Sequence, residues 1–131
     1  MFNKLRVVHI VVNSIEEATK DYSESFGLEV KSTAENPDGG YRAAVMPMGD
    51  GAVLEFVEPT DKDAGPLAKF LKDRGEGIYM MGWEVDSVDD AVKGLQEKGT
   101  RLINADLAAG SNAFIHPKSA HGVLVELVEK Q

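Results

Sequence analysis

Short apolar runs recur along the chain, separated by turn residues and by stretches with helical spacing. The run Leu5-Arg6-Val7-Val8-His9-Ile10-Val11 reads as a first strand, and it leads into the phrase Val12-Asn13-Ser14-Ile15-Glu16-Glu17-Ala18. That phrase returns as Val85-Asp86-Ser87-Val88-Asp89-Asp90-Ala91, a repeat of about 73 residues. In both copies a serine precedes a helical pattern and an acid stands three residues later, Glu17 or Asp90, which predicts an N-capped helix. Gly27 and Gly99 mark the predicted helix ends, and strands are predicted at Leu28-Glu29-Val30 and at Thr100-Arg101-Leu102-Ile103. Tyr41 to Met46 and Ala52 to Glu58 form a hairpin about Met48-Gly49-Asp50-Gly51, with Asn112 to Ile115 and Gly122 to Val128 as its counterparts. Gly65-Pro66-Leu67-Ala68-Lys69-Phe70-Leu71-Lys72 predicts a linking helix with proline in its first turn. The pattern is an α+β domain of two tandem βαβββ modules: about 1–60, a linking helix at about 63–75, and about 76–131.

The length of 131 residues suits one domain, and 43% apolar with 27% charged residues is the balance of a folded globular chain. The net charge of −8, from 22 acidic and 14 basic residues, disfavours nucleic acid and anionic membrane surfaces as partners. A small anionic substrate remains open, because a local basic patch can meet it. The absence of cysteine excludes disulfides, thiolate nucleophiles, zinc ribbons and iron–sulfur ligation. No apolar stretch approaches the ~20 residues of a membrane span, and the first residues do not read as a secretory signal; the expected address is the cytoplasm.

Two strands carry a carboxylate where an apolar residue belongs: Glu55 within Val53-Leu54-Glu55-Phe56-Val57, and Glu126 within Leu124-Val125-Glu126-Leu127-Val128. A carboxylate among apolar residues is costly unless it is paired, hydrogen-bonded or metal-bound. Two such groups at matching places can bind a cation or share acid–base work, or each can reach solvent across an open sheet face. His9 is the one histidine within a strand, and a lone strand histidine is more often a core or cavity residue than a ligand. His116 and His121 flank Pro117-Lys118-Ser119-Ala120 and read as turn or surface residues. No P-loop, dinucleotide fingerprint or zincin motif is present, and Asp38-Gly39-Gly40 and Ala109-Gly110-Ser111-Asn112 read as ordinary loops.

Several segments together resemble the vicinal oxygen chelate superfamily of glyoxalases, epimerases, extradiol dioxygenases and bleomycin-resistance proteins. They are Phe114-Ile115-His116-Pro117-Lys118-Ser119 with Gly122-Val123-Leu124-Val125-Glu126-Leu127, then Leu67 to Leu71, Gly75-Glu76-Gly77-Ile78, and Ala18 through Tyr22 to Leu28. Within that superfamily the chain is most similar to the methylmalonyl-CoA epimerase family. The resemblance implies a curved mixed sheet around a cavity. It also implies a divalent metal held by one side chain from the first and one from the last strand of each module. The last-strand positions fall on Glu55 and Glu126. The first-strand positions fall on Val7 and Met80, where histidines are usual, and the place of a neighbouring histidine is Tyr79. Valine cannot ligate, and a thioether suits a hard divalent ion poorly. The family's second acid–base carboxylate falls at Ala43.

Two functional readings follow. In the first, an epimerase- or glyoxalase-like enzyme moves a proton next to a carbonyl, on an acyl-CoA-type or related small substrate. Its catalytic groups are Glu126, Glu55 and His9, and its metal site is altered or absent. His9 lies two residues beyond Val7 on the same strand face, so a shifted site of His9, Glu55 and Glu126 is also open to a divalent metal. In the second, the chain is a metal-free small-molecule binding protein of the bleomycin-resistance type, its pocket lined by Val7, His9, Tyr41, Met80 and Trp83. The resemblance implies a homodimer in either reading.

Overall fold

The computed structural model describes residues 1–103 and 113–131, so the predicted loop at Ala109 to Asn112 lies outside the described residues. The chain divides into two compact units, Val7–Tyr79, and Met1–Arg6 with Met80–Gln131. In the first, β1 (Phe2–Val11, entering this unit at Val7) leads through α1 (Ile15–Phe26) to β2 (Ser32–Asn36), β3 (Tyr41–Pro47) and β4 (Val53–Pro59), followed by α2 (Pro66–Arg74). The strand order is β2-β3-β4-β1, with β4 parallel to β1 and the other pairs antiparallel. In the second, β5 (Gly77–Val85), α3 (Val88–Glu97), β6 (Leu102–Ile103), β7 (Ala113–Ile115) and β8 (Leu124–Glu129) take the order β5-β8-β7-β6, with β8 parallel to β5. The same βαβββ unit is thus present twice.

The helix starts are built alike. Ser14 Oγ accepts the N–H of Glu17 and Ser87 Oγ that of Asp90, each at 3.2 Å, satisfying one otherwise unpaired donor per helix. A carboxylate from the last strand of each module takes another: Glu58 Oε1 accepts from Ile15 and Glu129 Oε1 from Val88, each at 3.0 Å. Each module then closes its core over an apolar helix stripe. Ile15, Ala18 and Tyr22 of α1 pack on Val12, Ala44, Met46, Leu54 and Phe56. Val88, Ala91, Val92 and Leu95 of α3 pack on Val85, Ala113, Ile115, Val125 and Leu127.

The strand expected at Leu28-Glu29-Val30 is displaced to Ser32–Asn36. Gly27 ends α1 in the left-handed conformation, φ 71°, donating its N–H to the Ser23 carbonyl, and Leu28 then turns inward against the α1-side core. Sheet pairing begins only where the Lys31 N–H reaches the Val45 carbonyl at 2.8 Å. Ser32-Thr33-Ala34-Glu35-Asn36 carries no apolar alternation because it is an almost wholly exposed strand. The strand predicted from Thr100 starts at Leu102, since the Thr100 N–H is taken by the Leu95 carbonyl at the end of α3.

Strand alternation fixes the two faces of the first unit. Val8, Ile10 and Val12 turn to α1, and Val11 turns the other way, forming a second cluster with Ala43 and Val57. Tyr41, Tyr79 and Leu67, Phe70 and Leu71 of α2 cover that cluster.

Candidate active site

His9 lies directly opposite Glu55 in the parallel pairing of β1 and β4, and Glu55 lies opposite Val45 of β3. Ser32 of β2 faces Val45 in turn, so Ser32, Val45, Glu55 and His9 form one row across the sheet. Residues directly opposite share a face, here the face opposite α1. The next row holds Val11, Val57 and Ala43 under α2, and the row on the other side holds Val7 and Val53. The histidine and the carboxylate are therefore bracketed by apolar rows within a single module.

His9 Nδ1 is 3.6 Å from Glu55 Oε2, with side-chain exposures of 12% and 23%. That separation exceeds a hydrogen bond. His9 Nε2 is buried and has no hydrogen-bond partner among the described residues. Burial lowers the His9 pKa to about 4, so the imidazole is neutral at pH 7, and burial also raises the Glu55 carboxyl above its ordinary value. Burial thus leaves an uncharged ring beside a carboxylate whose affinity for a proton is raised.

In the second unit Glu126 is half-buried, opposite Gly82 of β5 and Phe114 of β7. Met80 lies two residues before Gly82 and so on the same face as Glu126. Trp83 lies on the opposite face. It packs against the α3-side core and meets Phe2 edge-on, ring centroids 4.8 Å apart, rather than joining Met80 and Glu126 as a pocket wall. Tyr41 stays on the face of His9 but is drawn under α2 and hydrogen-bonded by the Asn36 amide at 3.2 Å. Ala43 is buried in the same cluster, so that position carries packing and not a carboxylate. His116 caps its own turn, its Nδ1 accepting the Lys118 N–H at 3.0 Å, and His121 adopts φ 52°; both are turn residues.

Two carboxylate arrangements escaped the sequence reading. Glu58 and Glu129, the helix-start acceptors, repeat three residues after Glu55 and Glu126, in Glu55-Phe56-Val57-Glu58 and Glu126-Leu127-Val128-Glu129. Comparing the two last strands position by position would have found them. Glu84, 6% exposed, receives the Arg6 guanidinium at 2.9 Å and the Asn3 amide at 3.2 Å. The arginine beside it holds its carboxyl below the usual range. An arginine in one strand and a glutamate in another give no linear signal of pairing.

The donors for the metal that the fold family implies do not fit its four-ligand arrangement. Two of its positions are Val7 and Met80, and among the described residues no group of three or more histidine, aspartate or glutamate side chains is placed to hold an ion. Within the first unit the available donors reduce to His9 and Glu55.

A family model described as the Glyoxalase/Bleomycin resistance protein/Dioxygenase superfamily matches residues 7–115. The mitochondrial methylmalonyl-CoA epimerase of Homo sapiens is 31% identical over 95% of this chain and 72% of its own length. The crystal structure of methylmalonyl-CoA epimerase from Mycobacterium tuberculosis superposes with a TM-score of 0.87 at 32% identity, covering 99% of this chain and 89% of that one. A Streptomyces coelicolor methylmalonyl-CoA epimerase variant in complex with 2-nitronate-propionyl-CoA gives a TM-score of 0.84 at 29% identity over 99% of each chain. The chain therefore belongs to the Glyoxalase/Bleomycin resistance protein/Dioxygenase superfamily and, within it, groups with the methylmalonyl-CoA epimerases.

Proposed function

We propose that the protein epimerises an acyl-CoA thioester whose α-carbon is flanked by the thioester carbonyl and a second electron-withdrawing group. The observation that carries this reading is the His9–Glu55 pair, set on one row of an apolar sheet face in a chain of epimerase lineage. In the first half-reaction a glutamate carboxylate takes the α-proton. The C–H bond breaks, an O–H bond forms on the carboxylate, and the electron pair moves onto the thioester oxygen as an enolate. In the second, a carboxylic acid returns a proton to the opposite face of the planar carbon, and the thioester re-forms. Glu55 is one acid–base group of this reading, and Glu126 is taken as the other on its matching place in the repeat.

The chemistry asks nothing of the missing first-strand ligands. A carboxylate in an apolar setting has the raised proton affinity that α-proton removal requires, as at Glu55. A homodimer and a cytoplasmic address are further parts of this proposal, to be checked by light scattering and by fractionation.

The test is exchange of the α-proton of methylmalonyl-CoA in ²H₂O. Glu55→Gln and Glu126→Gln are each expected to slow epimerisation at least a hundredfold with thioester binding retained, each leaving exchange only of the stereoisomer whose proton the remaining carboxylate handles. The replacement of ligating histidines by Val7 and Met80 favours a second reading, a binding protein without turnover. Under that reading the two substitutions change ligand affinity alone.

A further inference from the structure

The proposed proton transfer leaves negative charge on the thioester oxygen, and some group must meet it. The divalent metal that the family resemblance implies could meet it, but the first-strand donor positions of that metal are Val7 and Met80 here. We propose that His9 takes over this task, its ring presenting an Nε2–H to the thioester oxygen and holding the enolate by a hydrogen bond. This rests on the epimerase reading above and deepens it.

Three observations carry the assignment. The first is position. His9 is one residue pair from Val7 along the strand and shares its face, and it stands directly across from Glu55. A group that meets the carbonyl oxygen has to lie beside the one that handles the α-proton, because that oxygen is two bonds from the α-carbon in the substrate.

The second is the 3.6 Å gap between His9 Nδ1 and Glu55 Oε2. An Nδ1–H beside a carboxylate closes to a charge-assisted hydrogen bond of roughly 2.7–2.9 Å. The longer separation fits an unprotonated Nδ1, and a neutral imidazole carries its single proton on the other nitrogen. The lone pair left on Nδ1 also has a use. Once Glu55 has taken the α-proton, its new O–H has an acceptor at hand, so ring and carboxyl are complementary in the enolate state and not before it.

The third is Nε2 itself, buried and without a hydrogen-bond partner among the described residues. A buried polar atom left unsatisfied costs stability, and natural chains retain few of them. A hydrogen bond from that N–H to an oxyanion would repay such a cost on binding. No proton leaves Nε2 in this scheme; it is shared by hydrogen bond and returns unchanged when the thioester re-forms.

The experiment combines kinetics, ligand binding and nitrogen NMR on the intact chain. His9→Leu is expected to lower kcat for methylmalonyl-CoA epimerisation about a hundredfold with KM within threefold of wild type. Its affinity for 2-nitronate-propionyl-CoA, whose anionic oxygens imitate the enolate, should fall by a similar factor, with propionyl-CoA affinity nearly unchanged. His9→Gln, which keeps an N–H near the place of Nε2, should recover at least tenfold of the lost rate. It stands in should the leucine variant fail to fold, since a wild-type rate with a parallel loss of nitronate discrimination in glutamine would already contradict the scheme. In ¹⁵N-histidine spectra of the wild type, His9 should carry its proton on Nε2, and that proton should move downfield when the nitronate binds. A His9→Leu enzyme within threefold of wild-type kcat, or an Nδ1–H tautomer in the nitronate complex, overturns the assignment and leaves the epimerase reading standing. A wild type that turns over no acyl-CoA overturns both.

Discussion

Burial pulls the proton affinities of His9 and Glu55 in opposite senses, and each change is also a change in stability. The unfolded chain protonates His9 near the ordinary value of 6.5, the folded chain only at about 4. Between those values the unfolded state binds more protons, so this histidine takes stability away as pH falls through that window, by about 3 kcal/mol at most. Glu55 acts the other way: its raised pKa makes its contribution full at low pH and lost as pH rises through the folded value. His9→Gln removes the first slope only, and urea midpoints from pH 6.5 to 4 should decline less in that variant than in the wild type; equal declines would contradict burial as the cause. Both residues were legible in the sequence because a charged or titratable side chain interrupts an otherwise apolar strand. The facing of Trp83 was not. Its neighbours Met81 and Val85 are as apolar as Met80, so the sequence around it does not say which side of β5 is the α3 side.

At the scale of elements, the two helix starts are the most regular feature, and each is held by a serine hydroxyl and a distant glutamate carboxylate. Ser14→Ala and Ser87→Ala should each cost about 1 kcal/mol in urea unfolding. Glu58→Ala should cost more than Ser14→Ala, because it strips the Ile15 N–H and also leaves Arg42 without its 2.9 Å carboxylate partner. An equal or smaller loss would mean that water replaces that carboxylate freely. The serine caps were legible because a cap is local, a serine and an acid three residues apart. The glutamate partners were not, since they depend on parallel pairing of strands more than 40 residues apart in sequence. β2 was misplaced for a related reason. An exposed polar strand has no alternation to read, and Gly27 fixes where α1 stops without fixing where pairing resumes.

Taken as a whole, the chain is one supersecondary unit written twice, and the copies differ at the first-strand positions of the candidate site. Strand order, helix caps and last-strand glutamates match, 1-4-3-2 against 5-8-7-6. The first strands differ: Val7 and His9 in one copy, Met80 and Gly82 in the other. The fold was legible from the repeat because both copies had to satisfy the same packing and capping demands. The candidate groups His9, Glu55 and Glu126 were legible because each interrupts an apolar strand, whereas the direct facing of His9 and Glu55 depends on parallel pairing that no local pattern shows. The central claim is that this chain moves a proton on an acyl-CoA thioester without the family's metal. Its most direct test is epimerisation of a single stereoisomer of methylmalonyl-CoA by wild-type protein stripped with chelator and certified metal-free by elemental analysis. Turnover is expected to survive stripping, to rise no more than threefold with Co²⁺, Mn²⁺ or Zn²⁺, and to disappear in Glu55→Gln. Turnover that vanishes on stripping and returns with one metal ion per chain would contradict that claim.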